Sequence, residues 1–294
     1  MTTYIVRLVM LVPVLLIAGI VVFALVHLTP GDPAAVILGQ SATPEQIEQL
    51  RDQLGLNEPL VKQFFHWFTG VLRLDFGQSL FIGESVTTAL RDRAQPTILL
   101  TIYALAIEIL IGVPAGVIAA VRRNSLLDRS LMLLSISGAA IPTFFLGILL
   151  ILLFAVVLRW LPSGGFVEIT DNPWEHFKRM AMPAFALGFS AAGLLARLVR
   201  SSMLDVLRED YVRTALAKGV PFRAVVVRHA LRNALIPAVT VIGQSMGALL
   251  GGAVVTETVF TIPGMGRLVV QSIARRDYPV IQGAVMIIAA TYVL

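Results

Sequence analysis

Long apolar runs dictate what this chain can become. They cover residues 8–28, 98–121, 131–158, 180–196 and 234–256, and a sixth starts near Pro279. A run of about 18 apolar residues reads as a spanning helix, because a rise of ~1.5 Å per residue carries it across a ~30 Å hydrocarbon core. A soluble fold would have to hide every one of these runs in a single core. Composition agrees: 57% of the residues are hydrophobic and 14% charged, against about 25% charged in a soluble domain. The expected fold class is an all-α integral membrane protein with six transmembrane helices. The first run exceeds the roughly 7–15 residue apolar core of a cleavable signal, so it is expected to stay as helix one. The sixth run breaks off at Leu294 in mid-pattern, and the natural protein is expected to continue.

Charge sets the expected orientation. Counted over the short loops, the side holding the N-terminus carries twelve Lys and Arg against six on the other, which places the N-terminus in the cytoplasm. The net charge of +5 is not gathered on an aromatic-studded face, so a nucleic-acid partner is not expected. With no Cys in the chain, disulfides, thiolate metal sites and a Cys nucleophile are excluded. The expected organisation is a transmembrane helix over 1–28, a small extracytoplasmic α-rich region over 29–95, and a membrane-embedded helical core over 96–294 whose cytoplasmic loop runs from 201 to 232.

The 29–95 segment carries helix signals of its own. Thr43 is placed as N-cap, Pro44 at the first helical position and Gln46 to close a capping box, with Ile47, Leu50 and Leu54 on one face before Gly55. A second helix from Pro59 carries Phe64, Phe65, Trp67 and Phe68, either as the core of this region or as membrane-interface aromatics.

Several motifs have a bland reading that competes with a chemical one. Gly243-Gln244-Ser245-Met246-Gly247 matches a hydrolase nucleophile elbow, which needs a strand before the Ser and a helix after it. Here it sits inside an apolar helix, and Gly243, Gly247 and Gly251 recur every four residues as a smooth packing face. Gly112 and Gly116 repeat that spacing. The four His have no metal-ligand spacing and no phosphate-binding Gly-x4-Gly-Lys loop occurs, so neither a metal nor a nucleotide is expected on this chain. Glu108 stands mid-helix, where a carboxylate costs roughly 2.5–3.5 kcal/mol, less than the ~4–8 kcal/mol supplied by its Leu, Ile and Val neighbours. It is therefore expected to face protein or water, as path lining, as a proton relay or as an interhelix hydrogen bond. A proton-coupled secondary transporter built on Glu108 is the alternative reading of function.

The cytoplasmic stretch 205–237 mixes bases with Ala and Gly. Ala215, Ala217 and Gly219 give a slim helix ending in a Gly cap, and Pro221 starts the next helix. Such a helix suits a partner's groove, while a solvated basic loop is the plain alternative.

The chain resembles the permease subunits of dipeptide and oligopeptide ATP-binding-cassette importers, the first of the two permeases in each. The carriers are LTPGDPA (28–34), PEQIEQLRDQLGLNEPL (44–60), LDFGQS (74–79), GVPAGVIAAVRR (112–123), RTALAKGVPFRAVVVRHALRNALIP (213–237), ETVFTIPGMGRL (257–268) and RDYPVIQG (276–283). General importer permeases have Glu-Ala-Ala, three residues, then Gly; here Arg213, Thr214 and Ala215 precede Gly219, a departure shared by peptide-type members.

The resemblance implies a type I importer permease in the bacterial inner membrane. Its partners would be a second homologous permease, two cytoplasmic ATPases that hold the ATP and Mg, an extracytoplasmic binding protein and lipid. It implies a coupling helix at Glu209, Asp210, Tyr211, Arg213, Thr214, Ala215, Ala217, Lys218 and Gly219. For the translocation path the residues favoured are Glu108, Ser137, Gly138, Pro142, Phe145 and Gln244; for an outer gate or binding-protein platform they are Glu257, Phe260, Pro263, Gly264 and Gly266. Gly138 and Pro142 permit a bend, which serves packing or exposes backbone to a path.

Overall fold

A computed structural model describes residues 2–28, 33–38, 42–53 and 55–293. Part of the LTPGDPA segment (29–32), Leu54 and Leu294 lie outside the described residues. The elements are helices: α1 Thr2–Leu28, α2 Pro33–Leu38, α3 Pro44–Gln53, α4 Leu60–Leu72, α5 Val86–Val121, α6 Leu126–Ala140 and α7 Thr143–Val157. They continue with α8 Pro173–Val206, α9 Asp210–Ala217, α10 Phe222–Val259, α11 Met265–Arg275 and α12 Tyr278–Val293. Individually, α5, α8 and α10 are long and apolar enough to span a membrane, and α6 with α7 forms one bent candidate. The apolar stretches Val12–Leu28 of α1 and Tyr278–Tyr292 of α12 are shorter.

The chain divides into two compact units, Met1–Gln95 with Leu268–Leu294, and Pro96–Arg267. In the first, α1 lies beside α12. The expected capping box forms at α3: the Thr43 backbone donates to Gln46 Oε1 at 3.0 Å and the Gln46 backbone to Thr43 Oγ1 at 3.4 Å. The aromatics of α4 pack along α1, with the Phe23 ring 5.4 Å from Phe64 and 5.9 Å from Trp67. Two quoted motifs meet here: Ser79 of LDFGQS donates to the Asp277 carboxylate of RDYP at 2.5 Å, and the Leu80 backbone donates to it at 3.2 Å.

In the second unit α8 is the central element, packed on α6, α7 and α10. Its apolar residues Met180, Ala184, Leu187, Leu195, Val199 and Met203 are buried. The apolar run read as 180–196 is thus the middle of a longer helix, because its polar ends at Pro173–Lys178 and Arg197–Val206 also wind as helix. Small residues let backbones close in: a methyl on Gly116 of α5 would stand 2.6 Å from the Ala196 carbonyl oxygen, and one on Gly112 3.0 Å from that of Ala192. This is the close packing that the Gly112/Gly116 spacing predicts. A methyl on Gly193 would overlap the Ser135 carbonyl of α6.

The run expected as one span over 131–158 is broken. Its halves α6 and α7 are bent by 104° at Ile141–Pro142. Ile141 is extended (φ −77°, ψ 123°), as the residue before a proline prefers, and α7 closes with a π-helical stretch over Ile151–Val157. The span expected to start at Ile98 begins at Val86 instead, because the polar stretch Arg91–Arg93 continues the helix beyond the apolar run.

Candidate functional site

The loop singled out in the sequence forms a short, presented helix. α9 starts after Glu209 and its C-terminus is closed by Gly219, whose φ of +80° places it in the left-handed region. The Val220 N–H reaches back to the Ala215 carbonyl at 3.2 Å and the Gly219 N–H to that of Leu216 at 2.9 Å. A glycine fits there without the steric penalty a side chain pays. Pro221 then caps the next helical segment as read from sequence.

Two residues anchor α9 to α10. Val212 is buried, and the Tyr211 hydroxyl accepts from Asn233 Nδ2 at 2.7 Å while donating to the His229 carbonyl at 3.4 Å. The outer face is left open: Glu209, Asp210, Arg213, Thr214, Ala217, Lys218 and Gly219 are exposed and Ala215 is half-buried. The Arg213–Asp210 pair at 3.5 Å is exposed on both sides and adds little stability. The arrangement is a rigidly seated, solvent-facing helix with small residues at its tip.

Between α6 and α8 stands an ion pair that sequence reading missed. Arg200 of α8 donates through Nε and Nη2 to both Asp128 oxygens at 2.7 and 2.8 Å, and Asp128 also accepts from the Asn124 backbone at 2.9 Å. Ser125 caps the same helix by accepting from the Asp128 N–H at 3.2 Å. The Ser125-x-x-Asp128 spacing signals that cap, but the partner at position 200 leaves no local signal.

Among the path candidates, Pro142, Phe145 and Gln244 are exposed, Ser137 is half-buried and Gly138 is buried against the Phe189 ring. The remaining path candidate is Glu108. It is fully buried and its Oε1 accepts from the Ser245 hydroxyl at 2.8 Å, an interhelix bond between α5 and α10. The Gly-x-Ser-x-Gly motif therefore lies in the interior of a helix, with its Ser tied to Glu108. Methyls placed on Gly243 and Gly251 meet nothing within 4 Å, so no backbone of this chain fills the face of α10 that their spacing marks for packing.

The segment expected as a gate is fastened from within by a buried carboxylate. Glu257 is fully buried, accepting from the Thr97 hydroxyl at 2.5 Å and the Arg267 backbone at 2.9 Å, while Thr97 also accepts from the Met265 backbone at 2.9 Å. Gly264 is pressed on that carboxylate closely enough that a methyl would overlap it. Phe260, Gly264 and Gly266 are buried, and only Pro263 of the five is partly accessible. A buried carboxylate needs this many donors, which is why Pro263–Gly266 wraps around it.

Residues 112–294 match the family described as binding-protein-dependent transport system inner membrane component, and residues 1–101 match its membrane-component N-terminal family. This chain belongs to that family. Over 288 residues, 98% of the chain and 92% of the relative, the permease is 46% identical to the "Probable peptide ABC transporter permease protein y4tP" of Sinorhizobium fredii. Over the same length and coverage it is 44% identical to the glutathione transport system permease protein GsiC of Escherichia coli. A solved structure of the MetNI methionine ABC transporter superposes with a TM-score of 0.54 at 19% identity, covering 69% of the permease and 90% of that chain. This likeness establishes the fold. The protein is a multi-pass inner-membrane permease subunit of an ABC importer, and the family membership decides against a proton-coupled carrier.

Proposed function

We propose that this permease is the first of two homologous membrane subunits, oriented with its N-terminus in the cytoplasm, and that α9 with Gly219 is the helix on which a cytoplasmic ATPase docks. The observation that carries the reading is the presentation of α9. Val212 and Tyr211 fix it, and Arg213, Thr214, Ala217 and Lys218 remain exposed around a small-residue tip. In this reading residues 29–95 are extracytoplasmic, residues 96–294 form the permease core and the loop 201–232 faces the ATPases. ATP and Mg sit on two ATPase partners and this chain holds no cofactor. A separate extracytoplasmic binding protein delivers the solute.

Half of the translocation path then belongs to the bend at Pro142, with Phe145, and to the open Gly243–Gln244 face of α10; a second permease supplies the other half. The relatives' names support small peptides, glutathione among them, as the substrate class. ATP drives transport only if it favours one state of the path over another, and the docked helix is where that bias enters.

The test is Ala217→Trp in the reconstituted importer. Gly219→Trp is less clean, since the positive φ there strains any side chain. A bulky group on the exposed tip is expected to lower ATP-driven uptake by about tenfold, a coupling loss of ~1.4 kcal/mol, with the chain still inserted. Uptake at the unmodified rate removes α9 as the docking element. Uptake of labelled glutathione or dipeptide in competition tests the substrate class.

A further inference from the structure

Helix α4 has three faces, and the established fold uses one. Phe64 and Trp67 lie against Phe23 of α1. The Phe68 ring stands 3.1 Å from where a methyl on Gly19 would be, and His27 Nε2 is 3.2 Å from Gln63 Oε1. As the number rises from 63 to 68 along α4, the contacted residue falls from 27 to 19 along α1, so α4 runs back alongside the apolar helix. Gly19 lies nine residues from Leu28, or about 14 Å of helix. This places α4 beside apolar span rather than above its end.

The second face is apolar and uncovered. Val61, Phe65 and Leu72 are 68%, 60% and 62% exposed, and their spacing of four and seven residues puts them on one stripe. One position on, at the same intervals, come Lys62, His66 and Arg73, all exposed, with Lys62 paired to Glu58 at 2.6 Å. An apolar stripe flanked by a cationic one, on a helix held against a membrane span, is the pattern of a helix lying in the plane of the lipid interface. An extramembrane helix would instead expose three large apolar side chains to water at about 25 cal/mol per Å².

We propose that α4 is an interfacial helix. Its Val61, Phe65 and Leu72 stripe lies among the acyl chains of the leaflet at the Leu28 end of α1, and Lys62, His66 and Arg73 lie at headgroup level. The partner is phospholipid, and the helix braces α1 sideways in that leaflet. In the orientation proposed for the chain this is the outer leaflet, but immersion itself does not depend on that orientation.

The absence of Cys makes the test direct. Phe65→Cys, Leu72→Cys and His66→Cys are spin-labelled singly in the assembled importer, in phosphatidylethanolamine and phosphatidylglycerol vesicles, with signal from the unmodified chain subtracted. Labels at 65 and 72 are expected to collide with oxygen several-fold more than with a water-soluble nickel chelate, and the label at 66 to show the reverse. Nickel access at 65 and 72 equal to that at 66 overturns the proposal in favour of a solvated helix. Labels at 65 and 72 reached by neither reagent overturn it in favour of a protein partner. Should the labelled variants fail to assemble, Trp67 serves instead, with Trp160→Phe and Trp174→Phe removing the other indoles. Quenching by lipid brominated near the headgroup end supports immersion, and its absence refutes it.

Discussion

Gly116→Ala tests the packing that makes α8 the centre of the second unit. The added methyl would stand 2.6 Å from the Ala196 carbonyl oxygen, 2.7 Å from Val199 Cβ and 2.9 Å from Val199 Cγ1. Ordinary contact begins at 3.4 Å, so α5 and α8 must separate by about 0.8 Å, or the β-branched Val199 must leave its preferred rotamer. Overpacking of this kind costs about 1–3 kcal/mol. Alanine returns up to ~1 kcal/mol through helix propensity, so the absolute change alone is ambiguous. Gly243→Ala supplies the reference: it gains the same propensity term, and its methyl meets nothing within 4 Å. The difference between the two variants isolates the clash. Measured as thermal unfolding of the purified permease in detergent, Gly116→Ala is expected to melt several degrees below Gly243→Ala. Equal melting temperatures would refute the close backbone approach of α5 and α8.

Four further outcomes are expected. Asp128→Ala should destabilise by about 1.5–3 kcal/mol, the range for hydrogen bonds to a charged group. It should fall below the full buried-pair cost, because the Arg200 side chain is 26% exposed; a double-mutant cycle with Arg200→Ala that returns no coupling would discard the pair. Glu257→Ala leaves the Thr97 hydroxyl and the Arg267 N–H without their buried acceptor, at about 1–3 kcal/mol, and should raise amide exchange over 261–267, whereas Glu257→Gln should do so less. Thr43→Ala should cost about 1 kcal/mol and show as lost exchange protection at the start of α3. In the first turn of α3, hydrogen bonds from the Glu45 backbone N–H and then the Thr43 hydroxyl hold the Glu45 carboxyl below its ordinary 4.5. A depressed carboxyl stabilises the fold above its unfolded pKa and loses that contribution as pH falls, so protection of α3 should weaken on acidification below about 4.5 and not on alkalinisation; the opposite trend would refute the assignment.

What was legible in the sequence was local. Thr43, Pro44 and Gln46 announced the start of α3, Gly219 and Pro221 the end of α9 and the segment after it, and Pro142 the bend, because each acts through its own backbone. The Gly112 and Gly116 pair was legible through spacing. Helix limits beyond the apolar runs were not, since residues such as Arg91 and Arg197 extend α5 and α8 without any hydropathy signal. Nor were fastenings between distant positions: Thr97 meets Glu257 across 160 residues and Ser79 meets Asp277 across 198. The burial of Glu257 was not legible either, because nothing local to the segment read as an outer gate or binding-protein platform marks its carboxylate as interior. The Gly243 and Gly251 stripe has the same spacing as Gly112 and Gly116, yet spacing alone does not say whether the close neighbour lies in the same chain.

Helix α8 is unbroken for 34 residues, from Pro173 to Val206, or about 51 Å. Only Leu207–Glu209 separate its end from α9. Such a rod is a mechanical lever: a tilt of about 5° at one end moves the other by roughly 4 Å, the scale of motion seen at switching interfaces. The Arg200 clamp on Asp128 ties α6 to α8 near the end that leads into α9. In the docking proposed for α9, a displacement there would reach the bend at Pro142 as a turning moment, with no need for any helix in between to change its fold.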